Sequence, residues 1–414
     1  MRKGSVLAIL VLIVAAVFLM NSSPTWAQKK GPIKIGFPVP LTGPFVQPGK
    51  DMLDGIQLYL EEIGYQVAGR KIELLTEDEE GIPATALMKT RKLVERDGVH
   101  VMSGLYLGAC GLAVAPYVVS KEIPTVFPVV SPDDITQRQR SKWVIRLGWA
   151  SCQPSHAFGE YVYQILKYKK IAALCADFAT GWECLGGFQK TFEENGGKII
   201  QKIWYPMIVQ DYSPYLPQLS KEADAWWIMT GGALTIKFFS QIQDFGLLGK
   251  VPMIGPGMPT DESTLPSMGN EILGMITPHH YSAALDNPAN KKFAKAFRER
   301  AKKVPSYYSE ACYTGARWIV EGIKAVQGDV ENKEKFLAAL KKVELKEVPR
   351  GPMRLDAYNN VVENIYIRKV ERVGGELQNT VIYTYPNVSQ FWKYKPEEYL
   401  KQPPYSRDYP PSKP

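Results

Sequence analysis

From residue 33 onward, apolar and polar positions follow two alternating periods. A strand runs from Ile33 into Pro40-Leu41-Thr42-Gly43, a second covers 72–78, and the run 93–104 closes on a third. Between the first two, Met52, Leu53, Ile56, Tyr59, Leu60 and Ile63 recur at steps of three and four, with Lys50, Asp51, Asp54 and Glu62 outside that stripe. Such spacing is one buried face of a helix. A second amphipathic stretch follows from Ala84. Strands alternating with amphipathic helices open a parallel α/β lobe. The alternation predicts a helix over 109–120, a strand over 125–130 and a segment 143–147 that leads out of this lobe.

A second lobe then repeats the pattern. It has helices predicted over 156–166, 182–195, 212–219 and 234–245, and strands over 171–176, 199–205, 225–229 and 251–254. Repeated βα units imply right-handed crossovers and a parallel sheet. Beyond a segment 272–281, long helices are expected over 291–303 and 308–326, the latter with Ala316, Ile319, Val320, Ile323 and Val326 on one face. A third helix over 333–342 and short strands at 352–355, 365–370 and 380–383 follow. The last 21 residues hold six Pro and four Tyr, too Pro-rich for a regular element, and are expected to lie across the surface or to stay mobile.

The strand ending in Pro40-Leu41-Thr42-Gly43, the turn Ala68-Gly69-Arg70, the strand 72–78 and the run 93–104 resemble, in order and spacing, the periplasmic solute-binding proteins of branched-chain amino-acid-type ABC importers. The resemblance covers nearly the whole chain after its N-terminal segment. It implies an α/β fold of two doubly wound parallel-sheet lobes joined by a three-strand hinge, the leucine-binding-protein-like type I arrangement. On that reading 28–148 with 282–350 form the first lobe, 149–281 with 351–390 the second, and 391–414 the tail. It further implies a monomer without a cofactor that takes a small ligand and delivers it to membrane permease subunits. Three crossings between lobes make a hinge.

The ends and the composition narrow the class. Residues 1–27 carry Arg2 and Lys3, an apolar run over 6–20 and a polar stretch closing in Thr25-Trp26-Ala27, the pattern of a secretory signal cleaved after Ala27 into the periplasm. An apolar run of 15 residues is short of the roughly 20 that a spanning helix needs. No cysteine stands near that point, so a lipid anchor is not expected. Removing Arg2 and Lys3 lowers the net charge from +8 to +6, and the charges are interspersed, which gives no stripe for nucleic acid.

Five cysteines, at 110, 152, 175, 184 and 312, leave at least one thiol free in a compartment that permits disulfides. A Cys175–Cys184 pair and small buried thiols are both compatible with the sequence. No C-x-x-C spacing suggests zinc or redox chemistry.

Enzyme motifs are missing: there is no G-x-S-x-G, no phosphate loop, no H-E-x-x-H and no G-x-G-x-x-G after a strand. Of four histidines, His279 and His280 are adjacent on an extended segment and point to opposite faces. They are expected to be a surface or satisfied polar pair rather than metal ligands.

Open parallel sheets bind ligands outside the carboxyl ends of their strands, so two hinged sheets place those ends on facing sides of a cleft. In the first lobe this selects the loop Tyr106, Leu107, Gly108, Ala109, which opens a helix whose exposed amides suit a carboxylate. Val130 and Ser131 end the next strand. The resemblance implies a serine or threonine hydroxyl on the ligand carboxylate at Ser131, and a hydroxyl residue at about Gly108 that this chain lacks. From the second lobe come Trp149, Thr180 and Trp182, where relatives commonly carry Tyr-Gly in place of Thr180-Gly181. Amino-acid-binding relatives place a carboxylate at about Gly257 and often an aromatic at Ala233. A buried ammonium without an anion costs several kcal/mol. Unless Asp261 replaces that carboxylate, the ligand is expected to be a small aromatic or branched acid without an α-amino group. Amino-acid binding, and a sensor that docks on a membrane receptor, are the alternatives.

Overall fold

Residues 30–412 are described in a computed structural model; the secretory-signal reading of 1–27 falls outside them. The first sheet is built from β1 (Ile33–Val39), β2 (Gln66–Val67), β3 (Arg70–Asp78), β4 (Val101–Met102), β5 (Thr125–Phe127) and β6 (Val144–Arg146), in the order β2-β3-β1-β4-β5-β6. β1 pairs in parallel with β3 from Ile33 opposite Ile72 to Val39 opposite Asp78, and only the β2–β3 hairpin is antiparallel. Around this sheet lie α1 (Val46–Glu62), α2 (Pro83–Arg91) and α3 (Gly108–Ser120). Met52, Ile56, Tyr59 and Leu60 of α1 are buried, so the stripe of threes and fours is the face that packs.

The chain then crosses to α4 (Cys152–Gln164), β7 (Lys170–Ala176), α5 (Ala179–Glu194), β8 (Lys198–Tyr205), β9 (Ala225–Ile228), α6 (Ala233–Asp244), β10 (Met253–Ile254) and β11 (Ile276–His279). It returns to the first lobe with α7 (Pro288–Ala301), α8 (Tyr307–Ala325) and α9 (Lys333–Leu340), and crosses back into β12 (Arg354–Leu355), β13 (Val361–Val373) and β14 (Glu376–Val388). The second sheet runs β12-β13-β11-β10-β9-β7-β8, with β14 on β13. Strands β7 to β11 are parallel, whereas β13 is antiparallel to both β11 and β14.

Two expectations are corrected, and the open alternative for the cysteines is resolved. The strands expected at 365–370 and 380–383 are one hairpin of two 13-residue strands, which makes the second sheet mixed. Its turn is Gly374-Gly375, both at positive φ, the geometry that joins twisted strands most tightly. The helix expected over 212–219 is a single short turn, Leu216–Gln218, because Pro214 and Pro217 remove backbone donors there. All five cysteines are free and buried: Cys175 Sγ lies 3.5 Å from Met229 Sδ, and Cys184 Sγ faces the Ser151 carbonyl at 3.5 Å.

The Pro-rich tail lies across the second lobe with one short helical turn, α10 (Pro396–Tyr399). Tyr399 and Tyr405 are buried beside Cys152, and the Tyr405 hydroxyl meets His156 Nε2 at 2.9 Å. Among the described residues no helix is long and apolar enough to cross a membrane.

Candidate ligand site

Both sheets present the carboxyl ends of their parallel strands where the lobes meet. On the first lobe, Leu107 caps α3, and Gly108 and Ala109 stand in its first turn, where amides have no intrahelical acceptor. A Cβ on Gly108 would lie 2.6 Å from Pro132 Cγ and 3.5 Å from Thr180 Oγ1. Thr180 is in the first turn of α5 on the second lobe, because that helix begins three residues earlier than its periodicity predicts. The lobes therefore touch where Gly108 faces Thr180.

Ser131 is almost buried. Its carbonyl accepts hydrogen bonds from the Ser151 amide at 2.9 Å and from Arg146 Nη1 at 2.9 Å, and its hydroxyl lies 3.1 Å from the Ser151 hydroxyl. The Val130 side chain is wholly buried in the first lobe's core, which leaves only its backbone toward the cleft. Trp182 is occupied elsewhere: its indole N–H donates to Asp177 at 2.8 Å, and its ring pairs with none of those around Trp149.

Trp149, on the crossover from β6 to α4, is the hub of an aromatic cluster. Its ring stacks on His280 at 5.0 Å and 28°, and meets the edges of His279 at 4.9 Å and Tyr307 at 5.4 Å. His279 and Tyr307 stack at 4.0 Å. The Tyr307 hydroxyl donates to Tyr308 at 2.6 Å, and Tyr308 lies 3.2 Å from the Tyr106 hydroxyl, which carries the cluster to the first lobe's loop. The Tyr106 amide is already engaged, donating to Glu79 Oε1 at 3.1 Å.

The histidine pair is neither at the surface nor satisfied. Both residues are at most 1 % exposed, and none of their four ring nitrogens has a hydrogen-bond partner. His279 ends β11 and packs on Gly257, Trp149 and Tyr307, while His280 follows the strand and stacks on Trp149, so neither ring reaches solvent. Burial, reinforced by the charges of Arg368 and Arg350, holds both imidazoles well below their usual range, hence neutral.

Gly257 touches this cluster directly: a Cβ there would lie 2.0 Å from His279 Cδ2. The place at which amino-acid-binding relatives are expected to carry an anion is thus filled by an imidazole. Asp261 is buried nearby, one oxygen accepting from the Ser263 amide at 2.9 Å and the other unpartnered. Burial, with the adjacent Glu262 charge, holds its carboxyl well above the usual carboxylate range, which favours the protonated acid.

Tyr307 and Tyr308 were not singled out by the sequence, which read His279 only as half of a surface or satisfied polar pair with His280. The two tyrosines open α8, whose long apolar face reads simply as core. Among the described residues no group of three His, Cys, Asp or Glu is placed to hold a metal. A surface groove of about 840 Å³, bordered by Arg317, Glu321, Lys342 and Glu347, carries none of these residues.

Known proteins share this fold. A family model described as periplasmic binding protein matches residues 32–376. An ABC transporter substrate-binding protein from Sphaerobacter thermophilus is 34% identical, with a TM-score of 0.82 over 87% of this chain and 99% of its own. A solute-binding protein of an ABC transporter from Rhodopseudomonas palustris BisB5, solved in complex with 3,4-dihydroxybenzoic acid, is 31% identical, with a TM-score of 0.83 and the same coverage. The Leu/Ile/Val-binding protein homolog 6 of Brucella melitensis is 28% identical over 385 residues, 91% of this chain and 96% of its own.

Proposed function

The chain belongs to the periplasmic binding protein family and is a solute-binding protein of an ABC transporter; on that premise we propose that it captures a small aromatic carboxylate without an α-amino group between its lobes. The observation that carries this reading is the contact of His279 with Gly257, which leaves a neutral ring where an α-ammonium group would need an anion. The amides of Gly108 and Ala109 and the Ser131 hydroxyl take the carboxylate, because a helix N-terminus and a hydroxyl stabilise negative charge. Tyr106, Trp149 and Tyr307 flank the ring. Thr180 closes over the first lobe, and closure selects the ligand by contacts that only the closed state makes. The closed protein, a monomer exported by cleavage after Ala27, then docks on permease subunits. The bound dihydroxybenzoate of the Rhodopseudomonas relative supports the ligand class.

A second reading rests on the unpartnered oxygen of Asp261 and on the Brucella relative's name: an α-amino acid whose ammonium ionises and pairs with Asp261.

Calorimetric titration tests the carboxylate contact. Benzoate binds and benzamide, its uncharged isostere, does not; Ser131→Ala weakens benzoate by about 1 to 2 kcal/mol. Equal affinity for benzamide, or an unchanged affinity in the variant, removes Ser131 and the carboxylate from the account.

A further inference from the structure

His279 and Asp261 meet the same short turn. The His279 ring stacks on Tyr307 at 4.0 Å and faces Gly257, which opens the turn Met258–Thr260 that Asp261 closes. Together they leave three buried polar atoms without partners: both His279 nitrogens and Asp261 Oδ2. Buried polar groups in folded proteins are nearly always paired, and orphaned atoms beside a ligand cleft mark a place for a ligand's polar atom. Their position along the cleft is ordered by contacts. Ser131 meets Ser151, and Trp149, two residues earlier in the chain, reaches His279 at 4.9 Å. The segment 149–151 therefore touches both the proposed carboxylate end and the orphan atoms.

We propose that His279 is a specificity-determining residue that reads a hydroxyl group on the ligand's ring, remote from the carboxylate, with Asp261 as its partner. This rests on the aromatic-carboxylate reading above and narrows it. A neutral imidazole offers one donor and one acceptor, and a protonated carboxyl does the same. A hydroxyl, which both donates and accepts, satisfies such a pair. A bare ring edge or a methyl group pairs with neither the imidazole nor the carboxyl. Gly257 is part of the device, since any side chain there would displace the imidazole.

The test is calorimetric titration of the chain from Gln28 onward with benzoate, 4-methylbenzoate, 4-hydroxybenzoate and 3,4-dihydroxybenzoate, in the unaltered protein and in His279→Leu and His279→Gln. The unaltered protein is expected to bind at least one hydroxybenzoate about tenfold or more tighter than both benzoate and 4-methylbenzoate, because a site built to bond a hydroxyl rejects analogues lacking it. His279→Leu brings the ratio of hydroxybenzoate to benzoate affinity to about one, and His279→Gln, which has a donor and an acceptor, retains part of it. Equal binding of methyl- and hydroxybenzoates overturns the inference without the help of any variant. A ratio that survives in His279→Leu, shown folded by its melting transition, also overturns it. Benzoate binding without a hydroxyl preference sinks this inference alone, whereas binding of leucine with none of the four acids sinks the aromatic-carboxylate reading as well.

Discussion

Arg350→Met lowers the free energy of unfolding by about 3 to 5 kcal/mol, the cost of leaving buried charges without their partner. Arg350 is 1 % exposed and donates to Glu310 Oε2 at 2.7 Å through Nε and at 2.6 Å through Nη2, to Glu363 Oε2 at 3.0 Å and to the Leu147 carbonyl at 3.0 Å. Glu310 belongs to α8 of the first lobe, Glu363 to β13 of the second sheet, and Leu147 to the first crossover. One guanidinium thus ties the three segments at the hinge. Its removal strands two carboxylates in an apolar setting, whereas adding Glu310→Gln and Glu363→Gln to Arg350→Met removes those charges and recovers part of the loss. Urea denaturation measures it, the midpoint giving stability and the slope showing whether the two lobes still unfold together. A loss under about 1 kcal/mol, the range of an exposed ion pair, would mean that the triad is not buried in solution.

Trp149→Ala is next in size, with an expected loss of about 3 to 5 kcal/mol for truncating a large buried aromatic. The residue is 5 % exposed and touches His279, His280 and Tyr307, so the cavity opens where elements of both lobes converge. Because the same ring flanks the proposed ligand, affinity for benzoate falls with stability. Trp149→Phe separates the two effects: it fills most of the space and recovers most of the stability, while the stack on His280 is reduced and binding stays weakened. Full recovery of binding in Trp149→Phe would make the tryptophan a packing residue only.

The first sheet was readable because its chemistry is local. The stripe from Met52 to Leu60 lies on one helix face whatever surrounds it, and the turn Ala68-Gly69-Arg70 separates two strands that pair in a hairpin and in the sheet. The second sheet's antiparallel edge was understated because the strand runs beyond Ile365–Val370, into the buried Val361, Val362 and Glu363 on one side and the polar end from Glu371 on the other, and an apolar-run criterion stops at Glu363 and Asn364. Pro214 and Pro217 contradict a helix that the apolar spacing of 212–219 suggests, and the backbone constraint wins over the pattern.

For the site, the rule of strand carboxyl ends selected positions that the fold does bring together at Gly108 and Thr180. His279 escaped because alternation along a strand predicts one exposed side chain of two only where one sheet face is wet, whereas here Gly257, Trp149 and Tyr307 cover His279 and Trp149 covers His280. Gly257 read as an omission when it is half of a contact, its missing side chain making room for an imidazole 22 residues away. A sequence lists residues that are present; what a glycine accommodates appears only when the neighbouring element is in place.

The most direct test of the aromatic or branched carboxylate reading is a thermal-shift comparison of matched acids with and without the α-amino group: 3-phenylpropanoate against phenylalanine, and 4-methylpentanoate against leucine, beside benzoate. A ligand at a hundred times its Kd adds about 2.7 kcal/mol to the folded state and raises the melting temperature accordingly. The account predicts a shift with benzoate or a desamino acid and none with its amino acid counterpart. A shift confined to phenylalanine or leucine would contradict it, and would mean that Asp261 ionises to hold an ammonium group beside His279.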